Sequence, residues 1–343
     1  MKQGSAVHRK LEDQVHTTVR VDVTTKEDAW GLRIWNVIQG LKMLRDSGLT
    51  RELEIWGTVD GLVVNGVVDE LSYICPDTDL EEALNESSVP EEPPPDQRSI
   101  SEFFKATSGP ALAKATRRKK GSHSKKVYVC DVKTRGVRTL PSGAAFKPTK
   151  IQLMLYHRLL GSLATNTVDF SVLTSRYGLD AEKVFSDSFL AQIGSLNEEF
   201  YDAPTSQNTN SGSEPTWSQD SMTTLLAHNN LNALWSLMIS EFQITLPGGV
   251  ASLGNVLKAE YRSRENGEIV GSKTFAMDDH DLTAYIQHEM EWWKGERQAK
   301  GVIVEEAFKC RSCEFADECE WRIKKVEEAK ERARMARKRT AVV

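Results

Sequence analysis

The chain has 343 residues, a formal net charge of −5, 39% hydrophobic and 27% charged residues, a balance typical of a globular protein with room for one large domain or two. No apolar run approaches bilayer-spanning length. The opening MKQGSAVHRKLEDQ has neither the apolar stretch of a secretory signal nor the composition of a transit peptide, and five cysteines in so long a chain suit a reducing compartment better than a disulfide framework.

Residues 4–20 read as a helix, with Val7, Leu11 and Val15 on one face and His8 and Glu12 one turn apart on another. A second helix is expected over 27–47, where Trp30, Ile34, Val37, Leu41 and Leu44 keep helical spacing and Gly48 supplies a stop. LEIWGTVDGLVVNGVVDELSYI is then rich in β-branched residues, broken at Asp60-Gly61 and Asn65-Gly66. The Asn-Gly step between two Val-Val pairs is the hairpin signal. Residues 76–125 are acidic, Pro-rich and poor in large apolar side chains, the material of a disordered insertion, with one short amphipathic turn at SISEFFKA.

Order returns with the strand KKVYVCDVKTR and the helix KPTKIQLMLYHRLLGSLA. Residues 179–200 read as helical and 203–222 as a second polar linker. VLKAEYRS and SKTFAMD bracket Asn266-Gly267 as a hairpin. A long helix over 279–298 carries Trp292 and Trp293, and a solvated helix follows Trp321. The domain reading is one domain over 1–325, with insertions at about 76–125 and 203–222, and a charged tail over 326–343. No internal repeat is visible.

The chemistry-bearing residues lie between 55 and 160. The strand NGVVDEL ends in Asp69, and VYVCDVKTR carries Asp131 and Lys133. Strand alternation puts Asp131 and Lys133 on one face and Cys130 and Val132 on the other. Two carboxylates can hold a hard divalent ion through oxygen. Such an ion acidifies a bound water and stabilises charge on a scissile phosphate, while a lysine beside it orients or activates that water. Strand edges also carry D-x-K pairs with no such role. Glu70 should face the opposite side of its strand, and Asp60, before a glycine, is a turn residue. His8 could complete a metal shell, although a lone helical histidine is more often ordinary surface or core.

Gln152 and Tyr156, four apart on a helix, share a face that could hold a phosphate or stack on a base, or be a plain polar face. Basic residues gather at 117–126 and again at Arg135, Arg138, Lys147 and Lys150. A local basic groove could engage nucleic acid despite the negative total; a solvated loop is the simpler reading.

Cys310, Cys313 and Cys319 form C-x2-C-x5-C within KCRSCEFADECEWR. Three thiolates in ten residues can face one point, as a metal or an iron–sulfur cluster requires. A Cys313–Cys319 disulfide would leave Cys310 spare. Zinc competes, but it wants a second ligand pair downstream, and no Cys or His follows Cys319. A fourth ligand has to come from far upstream, which suits a cluster that staples the ends of a domain together.

GSAVHRKLE, GVVDEL, DVKTR, QLMLY and KCRSCEFADECEWR, in that order, resemble the motifs of the exonuclease V family, a branch of the PD-(D/E)XK nucleases with a RecB-like core and a 4Fe-4S cluster. The similarity runs from about residue 2 to 325. It implies an α/β restriction-endonuclease-like fold, a mixed central sheet flanked by helices, with an iron–sulfur segment at its C-terminal end. It implies His8, Asp69 and Asp131 as magnesium ligands, Lys133 as the catalytic lysine, and Gln152 and Tyr156 as the Q-x3-Y motif; Arg135, from the basic group around that strand, is a further candidate for nucleic acid. It also implies Cys310, Cys313 and Cys319 as three of four cluster ligands.

The activity implied is magnesium-dependent hydrolysis of single-stranded DNA from an end. Fungal members of the family act in mitochondrial DNA maintenance and animal members in nuclear repair. The expected compartment is the mitochondrion, with the nucleus as alternative. Expected partners are single-stranded DNA and a single-strand-binding protein; no membrane partner is expected, and the chain is expected to be a monomer. In this family the fourth cysteine precedes the G-x3-H helix, where this chain starts, so the expectation is a chain shortened at its N-terminus. A catalytically impaired nucleic-acid-binding protein on the same fold is the rival reading.

Overall fold

The computed structural model describes residues 21–87, 125–199 and 223–340. The expected helix over 4–20, with His8, the amphipathic turn at 99–106 and the whole 203–222 linker lie outside the described residues. What is described falls into two compact units, one from residues up to 140 and 153–277, the other from 141–152 and 278 onward.

The first unit begins with α1 (Lys26–Ser47). Thr25 and Asp28 form a capping box that satisfies the orphan amides of its first turn. Asp28 also accepts from the Ser186 amide and hydroxyl at 3.0 and 2.9 Å, so the cap ties the helix to a segment far along the chain. Gly48, at φ 83°, ends the helix in the left-handed conformation.

A hairpin follows, β1 (Leu49–Val59) and β2 (Leu62–Ser72). Its turn is Asp60-Gly61, both residues at positive φ, as a tight two-residue hairpin turn demands. The Asn65-Gly66 step expected to make a hairpin instead lies inside β2, opposite Trp56 and Ile55. Register explains the difference: turning at Asp60-Gly61 lets the two strands pair along their whole length, from Leu49↔Ser72 to Val59↔Leu62.

Part of the expected disordered insertion is ordered. Thr78–Ser87 forms α2; Asp77 Oδ1 accepts from the Leu80 amide as a cap, and Glu81 pairs with Lys126 at 2.6 Å. The strand β3 (Tyr128–Arg135) and the helix α3 (Lys147–Ala164) come next. Residues 179–200 are not one helix. α4 (Phe170–Tyr177) ends at Gly178, and α5 starts only at Asp187 (Asp187–Glu199). The segment between is irregular, with a turn at Ala181-Glu182, and is held by Lys183 on Glu27 at 2.9 Å and by the Ser186–Asp28 bonds.

The apolar helix α6 (Leu231–Thr245) and the hairpin β4 (Val256–Ser263) and β5 (Ile269–Ala276) complete the unit. The five strands form one mixed sheet in the order β1-β2-β3-β4-β5, antiparallel except for the parallel pair β3/β4. The fold is α/β, a mixed sheet flanked by helices, consistent with the expected nuclease-like core. The parallel pair needs a long crossover, which α3 to α6 supply. Trp56 is fully buried at the core, with the rings of Trp30 and Trp235 at 5.7 and 6.0 Å.

The second unit contains the start of α3, then α7 (Asp279–Trp293), a 3-10 segment (Val304–Ser312) and α8 (Glu320–Thr340). α7 stops at Trp293, five residues short of the expected end, because Gly295 takes a positive φ. Lys150 pairs with Asp281 at 2.9 Å and Lys147 lies over the Tyr285 ring at 5.5 Å.

Candidate active site

Within the first unit, β2 and β3 pair antiparallel through Ser72↔Tyr128, Leu71↔Val129 and Glu70↔Cys130. The backbone ladder stops there, one step before Asp69 would face Asp131. The Asp69 side chain takes over: its Oδ2 accepts the Val132 amide at 2.6 Å. One strand's carboxylate is thereby fixed beside the next strand's catalytic candidates.

Asp131 is almost fully buried, at 1% exposure. Lys133 Nζ lies 2.9 Å from one of its oxygens and 2.8 Å from the other. The same-face relation inferred from alternation is therefore a direct charge pair. Burial pushes the Lys133 ammonium toward neutrality, but the Asp131 carboxylate, then Asp69 and Tyr156, overcome it and hold its pKa above the ordinary lysine value.

Tyr156 reaches this place because residue 66 is glycine. A Cβ on Gly66 would sit 2.5 Å from the Tyr156 ring, and one on Gly57 would sit 2.5 Å from Leu159. Two glycines in the hairpin let α3 lie close on the strands, which delivers Tyr156 toward Lys133. This packing was invisible in the sequence, where Asn65-Gly66 reads as a turn. Arg135 continues β3 beyond Lys133, its guanidinium 5.8 Å from the Tyr261 ring centre.

Glu70 is set apart from this group. It pairs with Arg51 at 2.6 Å and lies in register with Cys130. A cavity of 640 Å³ borders Arg45, Arg51, Glu70, Tyr128, Cys130 and Lys258 and includes neither Asp69 nor Asp131. Asp60 is the turn residue expected of it.

Gln152 lies one turn before Tyr156 on α3, in the part assigned to the second unit. Lys150 there is already balanced by Asp281. That weakens its expected part in a basic groove.

The oxygen donors of Asp69 and Asp131 suit a hard divalent cation, and the buried Asp131 carboxylate demands a positive neighbour, a demand Lys133 meets. Among the described residues no group of three or more His, Cys, Asp or Glu side chains is gathered to hold a metal ion. His8 lies outside them. Cys310 ends in the 3-10 segment, Cys313 caps it, and Cys319 precedes α8; all three are free thiols, none of them buried. The loop between Cys313 and Cys319 is tied down by Arg322 on the Ala316 carbonyl at 2.7 Å. Their sulfur donors suit a cluster or zinc by chemistry, but the three are not gathered around one point. Of the two remaining cysteines, Cys130 is buried in the sheet, where burial drives its thiol pKa far up, and Cys75 points at the Asp77 carbonyl at 3.3 Å.

Two comparisons bear on this geometry. The chain matches the family model for exonuclease V, described as a 5′ deoxyribonuclease, over residues 1–322. Exonuclease V of Danio rerio is 22% identical over 319 residues, 93% of this chain and 61% of the relative, so the chain spans about three-fifths of that relative's length. The family match takes in the two strands, the lysine, the tyrosine helix and the three cysteines together, and the chain belongs to the exonuclease V family.

Proposed function

We propose that this chain is a metal-dependent nuclease that hydrolyses phosphodiester bonds in single-stranded DNA, working from an end. The observation that carries this reading is the buried Asp131 carboxylate paired with Lys133 at 2.8–2.9 Å, beside an Asp69 carboxylate that the Val132 amide holds from the neighbouring strand. Family membership supports a deoxyribonuclease in particular.

In hydrolysis, water forms the new O–P bond, the P–O bond to the leaving nucleoside breaks, and the water's proton ends on the leaving oxygen. Magnesium held by Asp69 and Asp131 would supply a Lewis acid and an acidified water. Asp69 is kept in place by the Val132 amide, so its carboxylate needs no reorientation. The Lys133 ammonium, already positioned by Asp131, donates toward the attacking water or a non-bridging phosphate oxygen. Tyr156, seated on Gly66, presents its hydroxyl or ring to the adjacent nucleotide, and Arg135 takes the next phosphate. Cys310, Cys313 and Cys319 would supply three ligands of a 4Fe-4S cluster, whose part would be that of a structural clasp, because they lie far in sequence from the carboxylates.

A substrate panel tests the reading. Linear single-stranded DNA labelled at each end is compared with circular single strands, blunt duplex and RNA, with magnesium and with chelator. End-dependent, magnesium-dependent loss of the linear strand supports it. Efficient cutting of circles would indicate an endonuclease, and binding without cleavage under all conditions would favour an impaired binding protein.

A further inference from the structure

The family match ends at residue 322, and α8 carries the chain on to Thr340. This helix has nine Lys and Arg against four Glu, in a chain whose total charge is −5. None of its residues from Glu320 to Arg337 is buried, and all from Glu331 to Arg337 are exposed. An amphipathic helix is stabilised by burying one face; here the half-buried residues, Trp321, Arg322, Lys325 and Glu328, end at Glu328.

The charges are ordered along it. Its first half is internally balanced: Glu328 takes both Lys325 at 2.9 Å and Arg332 at 3.4 Å. After Glu331 there is no further acid, only Arg332, Arg334, Arg337, Lys338 and Arg339. Lys330, Arg334 and Arg337 recur at i, i+4 and i+7, one stripe of a helix over about 10 Å. Phosphates along a nucleic-acid strand are a polyanion that such an exposed basic stripe attracts.

We infer that the C-terminal half of α8 is an accessory docking element for the sugar-phosphate backbone of DNA, separate from the carboxylate–lysine site. Its partner is the same single strand that the enzyme degrades, so the inference rests on the deoxyribonuclease reading. It binds phosphates without reading bases, and it raises the local concentration of long substrates at the site.

The test uses the full chain and the triple variant Lys330→Gln/Arg334→Gln/Arg337→Gln, which keeps good helix formers in place; far-UV circular dichroism checks that helicity is retained. Binding of fluorescein-labelled oligodeoxythymidylate is followed by anisotropy in chelator over a range of salt. Three lost phosphate contacts should flatten the slope of log K against log salt by about 2 for a single strand. KM for an oligonucleotide of about 30 nucleotides should rise about tenfold while kcat stays unchanged. An unchanged slope and KM would overturn the inference. So would a variant that loses binding to anionic phosphatidylserine vesicles yet keeps wild-type DNA binding. If the wild-type chain never cleaves but the slope still flattens, the nuclease reading fails and the docking helix stands; cleavage with an unaltered slope is the reverse.

Discussion

The Asp69 carboxylate accepts the Val132 amide at 2.6 Å, so a side chain of β2 substitutes for a backbone partner of β3 where their ladder ends. The bond links architecture to chemistry, because the residues on either side of Val132 are Asp131 and Lys133. Asp69→Asn keeps an acceptor for that amide and should leave thermal stability close to wild type while removing cleavage. Asp69→Ala leaves the amide unpaired and should cost about 1–3 kcal/mol as well. Urea unfolding of both variants beside a nuclease assay checks the split; equal destabilisation by the two would contradict it.

Lys133 and Asp131 should be energetically coupled. The Asp131 carboxylate is buried while the Lys133 side chain is about one-third exposed, so solvent screens part of the pair. Lys133→Met alone should lose activity and destabilise by about 1–3 kcal/mol, because it strands a buried charge. Adding Asp131→Asn should recover much of the stability and none of the activity. A double-mutant cycle with no coupling would show the contact to be incidental.

Gly66 should matter through Tyr156. Gly66→Ala puts a methyl 2.5 Å from the Tyr156 ring and should cost about 1–3 kcal/mol by overpacking, with a larger loss in cleavage rate than in stability. Tyr156→Ala in the same chain should restore stability without restoring rate. Tyr156→Phe separates hydroxyl from ring: a rate unchanged from wild type would assign the work to the ring alone.

Acid stability should depend on Asp28. Burial raises its pKa, but the Ser186 amide, the Thr25 and Ser186 hydroxyls and the Thr24 hydroxyl outweigh it, leaving the folded value below the ordinary aspartate range. A depressed folded pKa contributes stability above the unfolded value of about 3.9, and this contribution is lost as pH falls through the folded value. Asp28→Asn should therefore be less stable than wild type at neutral pH by about 1–2 kcal/mol. The gap should close below about pH 4, and melting curves across pH read it directly. A gap independent of pH would mean that geometry rather than charge holds the cap.

Much of this fold was legible because its signals are local. The spacing of Trp30, Ile34, Val37, Leu41 and Leu44 and the stop at Gly48 place α1 within a residue at each end, and Asp131-x-Lys133 on a β-branched strand locates the carboxylate–lysine pair. What stayed hidden depends on contacts between distant segments. Of two candidate turns, Asn65-Gly66 carries the stronger local preference, yet pairing along all of β1 and β2 selects Asp60-Gly61. α6 is apolar on almost every side, so LNALWSLMISEFQIT has little helical period to detect. α2 sits in acidic sequence and is secured by Asp77 and by Lys126 from beyond the insertion. The Tyr156–Gly66 contact and the Asp69–Val132 bond join residues 90 and 63 positions apart in sequence, which no window of sequence displays.

The most direct measurement compares wild type and Asp131→Asn on end-labelled single-stranded DNA in magnesium, with strand affinity measured on the same preparations. On the proposed reading, removing the carboxylate charge at residue 131 should lower the cleavage rate by at least about a thousandfold, a loss on the scale of removing a metal's charge stabilisation, with affinity within a few-fold of wild type. Turnover by Asp131→Asn at the wild-type rate would contradict the assignment of the carboxylate–lysine site.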